Sequence, residues 1–217
     1  MSADTKKVVI YTAIFGDYDN LIDPVSTDDD VDYICFTDGD PRSDIWQIRQ
    51  RSAHLPDDPV RSARVYKICP HRFLSGYDFS LWIDGNMRLN KTPNVPAMLR
   101  YGASLAMEKH RKRNCVYDEA EICIDRGLDD ILNIRRAVIA CQAMGIRKDT
   151  GLWASYMLAR KHNDPDLVRL NEMWWAFVQA YSRRDQLSIP TVFNGYQIEP
   201  IGRNERSKIA TIKKHKK

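Results

Sequence analysis

A chain of 217 residues has room for one generous domain with a sizeable core. Hydrophobic residues make up 43% and charged residues 29%, the balance of an ordinary globular protein. No stretch approaches the roughly 18 consecutive apolar residues of a membrane span. The first seven residues lead straight into a strand-like run with no apolar leader core, so a cytoplasmic location is expected. The five cysteines (Cys35, Cys69, Cys115, Cys123, Cys141) show no C-x-x-C spacing, which excludes a zinc ribbon and argues for reduced, mostly buried thiols. The net charge of +4 is uneven. Residues 42–72 are rich in arginine, and residues 208–217 carry five lysines and no acid. Such patches suit phosphate-bearing partners: nucleotides, nucleic acid or anionic lipid. A solvated tail explains the charge equally well.

In chain order, residues 8–15 (VVIYTAIF) form a β-rich strand closed by the turn formers Gly16-Asp17-Tyr18-Asp19-Asn20. Residues 31–37 read as a second strand, stopped by Asp38-Gly39-Asp40-Pro41. A short strand is expected around residues 45–48, and Pro59 opens a helix that runs to residue 68. Residues 79–83 are a third clear strand, followed by a short returning strand over 87–90 and a helix from Pro93 or Asn94 to Leu99. A strand over 103–109 precedes helical sequence from Asn114, broken at Gly127, and a helix over 129–144 that Gly145 ends. Residues 151–160 read as a strand. Asp164-Pro165 opens the strongest helix, with Leu167, Leu170, Trp174, Phe177, Val178 and Tyr181 at helical spacing. Strands alternate with helices without repeats or linkers, which predicts a single layered α/β domain over 1–207 with a basic tail over 208–217.

Asp84 is the first candidate for chemistry. Residues 80–83 are an apolar run ending in Asp84-Gly85-Asn86. A carboxylate at the end of a buried strand is costly unless something pairs it, and ligands of open α/β sheets sit at strand ends. An acid and an amide two residues apart suit a hard cation such as Mg²⁺ or Mn²⁺. The same three residues also make an ordinary turn. Arg61, Arg64 and Lys67 share a helix face and suit a diphosphate, or else a solvated basic face. Asp185 follows an arginine pair and is a candidate base or ion-pair partner. Arg160 and His162 close a strand where a pocket wall would lie. Cys69 and His71 are soft metal ligands, but two alone make no zinc motif.

The order of these parts resembles a nucleotide-sugar glycosyltransferase of the GT-A type. More closely it resembles a family, once classed as a domain of unknown function, with bacterial members and plant members linked to wall and mucilage polysaccharides. The matching stretches are residues 11–19 (YTAIFGDYD), 32–38 (DYICFTD), 61–67 (RSARVYK), Pro70-His71, 82–86 (WIDGN), 160–162 (RKH), Trp174 and 184–188 (RDQLS). The resemblance implies a single Rossmann-like domain with a mixed, mostly parallel sheet flanked by helices. It implies transfer of a sugar from a nucleotide-sugar donor to a hydroxyl of a glycan or polysaccharide, assisted by Mn²⁺ or Mg²⁺, with retention if the analogy to the family-eight transferases holds.

On this reading Tyr11, Thr12 and Asp38 frame the nucleotide, and Arg61, Arg64 and Lys67 hold its diphosphate. Asp84, Asn86 and His215 are the metal ligands, Asn86 standing where relatives carry a second acid. Asp185 and Gln186 meet the donor sugar and the attacking hydroxyl, and Arg160 and His162 lie on the acceptor side. Alternatives are a nucleotidyltransferase, a sugar-nucleotide hydrolase, or a basic nucleic-acid-binding protein. The chain has no RNA-recognition signature, so no nucleic-acid partner is expected. The basic tail leaves peripheral contact with an anionic membrane open.

Overall fold

The structure, a computed structural model, describes residues 6–216. Its centre is a seven-stranded sheet of β1 (Val8–Ile14), β2 (Val31–Thr37), β3 (Gln47–Gln50), β4 (Phe79–Ile83), β6 (Leu105–Lys109), β7 (Trp153–Arg160) and β8 (Glu199–Pro200). The strand order is β3-β2-β1-β4-β7-β6-β8, and only β7 runs against its neighbours. A second, two-stranded ladder pairs β5 (Met87–Leu89) with β9 (Ala210–Ile212).

β1 shows why its sequence is almost wholly apolar. Successive side chains point to opposite faces of the sheet, and both faces are covered. Val9, Tyr11, Ala13 and Phe15 pack with α1 (Pro59–Ile68) and α5 (Pro165–Ala180). Ile10 and Ile14 enter a second core with Met87, Leu89, Val95, Met98, Ile209 and Ala210. That second core is closed by α2 (Val95–Met98) and by residues of α7 (Arg203–Ile209). A third cluster joins α3 (Val116–Asp125) and α4 (Ile131–Ala143) to Leu152 and Leu187, and α6 (Ile189–Val192) follows at once. Helix starts obey local chemistry. Asp58, Asp130 and Asp164 each accept a backbone N–H of the first turn, and prolines occupy the first position of α1 and α5.

The sequence reading gives no element after residue 188, whereas α6, β8, α7 and β9 lie there. The expected boundary between 207 and 208 falls inside α7, and residues 210–212 pair with β5. The chain therefore returns over the C-terminal end of β4. No helix among the described residues is long and apolar enough to cross a membrane.

β2 and β3 lie on one side of β1 and β4 on the other. The crevice beyond the carboxyl ends of β1 and β4 is thus the switch point of the sheet, where ligands bind in such folds. Two glycines let the chain close tightly there. A Cβ on Gly16, whose φ is +61°, would lie 2.7 Å from Pro59 Cβ, and one on Gly85 would lie 2.8 Å from Ile14 Cγ1.

Candidate functional site

A pocket of about 390 Å³ opens at this switch point. Ala13, Ile14 and Phe15 come from the end of β1, Pro59, Val60, Ala63 and Arg64 from the start of α1, Asp84 and Gly85 from the end of β4, and Ser155 and Tyr156 from β7. Residues 183–186, Tyr18, Asp19 and His215 complete the wall.

Four charges interlock at its floor. The Lys67 ammonium, fully buried, lies 2.7 Å from Asp185 Oδ2 and 3.1 Å from Asp84 Oδ1. Arg64 reaches the same two acids, 3.4 Å from Asp185 and 3.8 Å from Asp84. Ser155 Oγ accepts from Lys67 Nζ and donates to Asp185 Oδ2, both at 3.1 Å. Trp82 Nε1 donates to Asp84 Oδ1 at 2.8 Å, and Trp174 Nε1 donates to the Asp185 carbonyl at 3.0 Å. Burial opposes ionisation of Asp185, but Arg64, Lys67 and Arg184 outweigh it and hold its carboxyl well below the usual carboxylate range. Burial and the neighbouring Arg64 lower the Lys67 ammonium, with the two acids pulling the other way. Asp185 is therefore a permanent carboxylate, suited to fixing charge and orientation more than to taking a proton.

A second group closes the mouth. His215 Nδ1 lies 3.0 Å from both oxygens of Asp19, and its ring packs edge-on against Tyr18. With Nδ1–H donating to Asp19, Nε2 accepts from Asn86 Nδ2 at 3.3 Å. Asn86 Nδ2 also donates to the Lys213 carbonyl at 2.8 Å, and the Asn86 carbonyl accepts from Lys213 N. Lys216 pairs with Asp17 at 2.5 Å. Asn86 is thus the bracket that fixes the returning segment over the pocket.

The structure brings together Arg64, Lys67, Asp84, Asn86, Asp185, Gln186 and His215 from the residues singled out in the sequence. The others lie elsewhere. Tyr11 and Arg160 are core residues, where the Arg160 guanidinium donates to Tyr11 Oη at 2.6 Å and to the Lys67 carbonyl at 2.7 Å. They support the backbone of Lys67 from behind. Thr12 is buried on the opposite face of β1. Asp38 accepts from Gly16 N at 3.0 Å and so anchors the loop that carries Tyr18 and Asp19. Arg61 binds the carbonyls of Val178 and Tyr181 and the Asp58 carboxylate, tying α1 to the end of α5.

His162 is fully buried, with Nε2 on the Leu74 carbonyl at 2.9 Å, so it does not face an acceptor. Burial pushes its imidazole down to about 4. A folded value below the unfolded one of about 6.5 means that stability is complete above pH 6.5 and is lost as pH falls toward 4. The full depression corresponds to roughly 3 kcal/mol. Urea unfolding at pH 7 and pH 4 should therefore show a loss of about that size from this residue. His162→Gln should flatten the profile by the same amount, and an unchanged slope would refute the assignment.

Three participants escape the sequence reading. Asp19 appears there as a turn former, Ser155 as a residue of a strand, and Trp82 as part of the apolar run before Asp84, none with a role of its own. The matching stretches 11–19 and 82–86 contain Asp19 and Trp82, which is the signal that points to them.

Comparison with known proteins accords with this geometry. The family model described as the TOD1/MUCI70, glycosyltransferase-like domain matches residues 36–210. The chain is 28% identical over 172 residues to the probable hexosyltransferase MUCI70 of Arabidopsis thaliana, a match covering 71% of this chain and 28% of that protein. It thus spans little more than a quarter of that relative's length. Among solved structures, the apo structure of the bifunctional glycosyltransferase WbbM aligns with a TM-score of 0.55 at 9% identity, over 93% of this chain and 39% of that one, which is a likeness of fold. With the family model matching most of its length, the chain belongs to the TOD1/MUCI70 glycosyltransferase-like domain family.

Proposed function

We propose that this chain is a glycosyltransferase domain that moves a sugar from a nucleotide-sugar donor to a hydroxyl of a glycan acceptor. The observation that carries the reading is the switch-point pocket floored by Arg64, Lys67, Asp84 and Asp185. A nucleoside diphosphate leaves with negative charge, and cations fixed in a water-poor cleft stabilise that charge without reorganising. Arg64, on the pocket wall, receives the diphosphate, and Lys67 adds positive potential from below. The apolar wall of Ala13, Phe15, Pro59 and Val60 suits the nucleobase. Asp185 keeps Lys67 and Arg64 in register, and Gln186, on the same wall, is placed to hydrogen-bond a sugar or acceptor hydroxyl. Much of the rate then comes from positioning.

A hard divalent cation would require Asp84, Asp19 and His215 to draw together, since their ligand atoms do not all lie within 4.8 Å of one another. The carboxylates of Asp84 and Asp19 flank Gly85, where a Cβ would lie 3.5 Å from Asp19 Oδ2. His215 offers Nε2 in exchange for its contact with Asn86. Asp84, Asp19 and His215 would hold Mn²⁺ or Mg²⁺, which supplies Lewis-acid neutralisation of the leaving diphosphate. Asn86 then serves as the bracket for His215.

A thermal-shift screen of UDP-, GDP-, CMP- and dTDP-sugars, with and without Mn²⁺, tests the proposal. A ligand at a hundred times its Kd adds about 2.7 kcal/mol of stability, which raises Tm by about 5–10 °C in a domain of this size. One nucleotide class should do so, more strongly with Mn²⁺. Silence of every donor under both conditions would defeat the reading. Sugar release that no acceptor accelerates would point to a hydrolase instead.

A further inference from the structure

The end of α1 and helix α5 bring together side chains that the transfer chemistry does not use. Cys69 caps α1, His71 sits in the 3₁₀ turn Pro70–Arg72, and Glu172 projects from α5. The Cys69 sulfur, a His71 ring nitrogen and a Glu172 carboxylate oxygen all lie within 4.8 Å of one another. His71 Nε2 meets Glu172 Oε1 at 2.6 Å, whereas His71 Nδ1 is buried and takes no hydrogen bond. A buried lone pair costs free energy unless a hydrogen-bond donor or a metal ion meets it.

The surroundings repeat the pattern. Asn171, whose carbonyl accepts from Cys69 Sγ at 3.9 Å, has both side-chain amide atoms buried and unpaired. His162, bonded through Nε2 to Leu74 of the following turn, also has an unpaired buried Nδ1. Four of the ten orphaned buried polar atoms among the described residues thus belong to His71, His162 and Asn171.

We propose that Cys69, His71 and Glu172 form a Zn²⁺ site, with a thiolate, an imidazole and a carboxylate as ligands and water in the fourth position. These are the donor types that zinc takes in tetrahedral sites. Bonds of about 2.0–2.3 Å place tetrahedral ligand atoms roughly 3.5 Å apart, so rotamer adjustments of about 1 Å close the set. Arg72, paired with Glu172, becomes the outer partner that orients the carboxylate. A thiolate disfavours the hard cations expected in the pocket, so the two sites differ in metal as well as in place. The site staples α1, which carries Arg64 and Lys67, to α5, whose Trp174 holds the Asp185 carbonyl. It does not depend on the transferase reading.

The test uses the full chain, stripped with a chelator and dialysed against Zn²⁺. Elemental analysis should give one zinc per chain, with a higher Tm than the stripped protein. His71→Asn and Glu172→Gln, both at partly exposed positions, should weaken zinc binding about 10–100-fold. Loading with Co²⁺ should give a thiolate charge-transfer band that Cys69→Ser removes. Asp84→Asn should keep its zinc, which separates this site from the pocket. A chain that retains no zinc and shows no Tm shift would overturn the proposal. So would zinc that survives His71→Asn but is lost in the Asp118→Asn/Asp149→Asn pair, which belongs to the other cluster, Cys115, Asp118 and Asp149.

Discussion

Asp185→Asn should cost the protein about 3–5 kcal/mol and most of its activity together. The Asp185 carboxylate is 2% exposed and takes Lys67, Arg64 and Ser155 on one oxygen. Removing one partner of a buried pair leaves the other charge uncompensated, which is the expensive case. Lys67, fully buried, would keep Asp84 as its one carboxylate partner, beside the neutral Ser155 hydroxyl. Against a typical total of 5–15 kcal/mol, the loss is a large fraction, and at about 2–4 °C per kcal/mol it lowers Tm by roughly 6–20 °C. The pH dependence carries the same signature. The Asp185 carboxyl is depressed on folding, so its contribution is complete above the unfolded value near 4 and disappears as pH falls below it. Native and variant melting curves should therefore converge in acid. Turnover should fall about 10²–10³-fold as Lys67 and Arg64 lose their register. The double variant Lys67→Met/Asp185→Leu separates the two effects: it should recover much of the stability, as apolar replacements of buried ion pairs do, without recovering activity. A single variant that melts like the native chain would show that the quartet does not hold the pocket together.

The central sheet was legible because its strands are β-rich runs cut by turn formers, and α1 and α5 because proline and aspartate mark their starts. The charged quartet was half legible. Asp84 announced itself as an acid closing an apolar run, and Arg64 and Lys67 share a helix face, but nothing local joins them to Asp185, 118 positions after Lys67 in the numbering. The fold supplies that join by placing β7 beside β4. Tyr11 and Thr12 came in through the resemblance, and Arg160 and His162 through their place at a strand end. The central strands are covered on both faces, so these groups are buried, and Tyr11, Arg160 and His162 meet backbone carbonyls or another buried side chain. Residues 203–212 gave no signal because Ile209, Ala210 and Ile212 are too few apolar positions to fix a period. Their place depends on a three-residue ladder with β5. The apolar-to-acid step at residue 84 was informative because a sheet of this order concentrates ligand chemistry at the strand ends.

Asp84→Asn should separate function from stability where Asp185→Asn combines them. The Asp84 side chain is 23% exposed and lines the pocket, and Lys67 keeps Asp185 when Asp84 is neutralised. The amide oxygen still accepts from Trp82 Nε1, so the unliganded Tm should move by no more than a few degrees. Donor recognition should change far more. The carboxylate that faces the proposed diphosphate site is lost, so the Mn²⁺-dependent part of the donor-induced Tm rise should vanish while any metal-independent part remains. Transfer rates should fall about 10³-fold, the scale of losing one preorganised electrostatic contact to the departing group. Asp19→Asn should weaken metal dependence through both its own carboxylate and the orientation of His215, and its effect should be non-additive with His215→Ala because the two side chains share one contact. If Asp84→Asn retained full metal-dependent donor binding, the cation would belong elsewhere. The acid at the end of β4 would then be a counter-ion for Lys67 and no more.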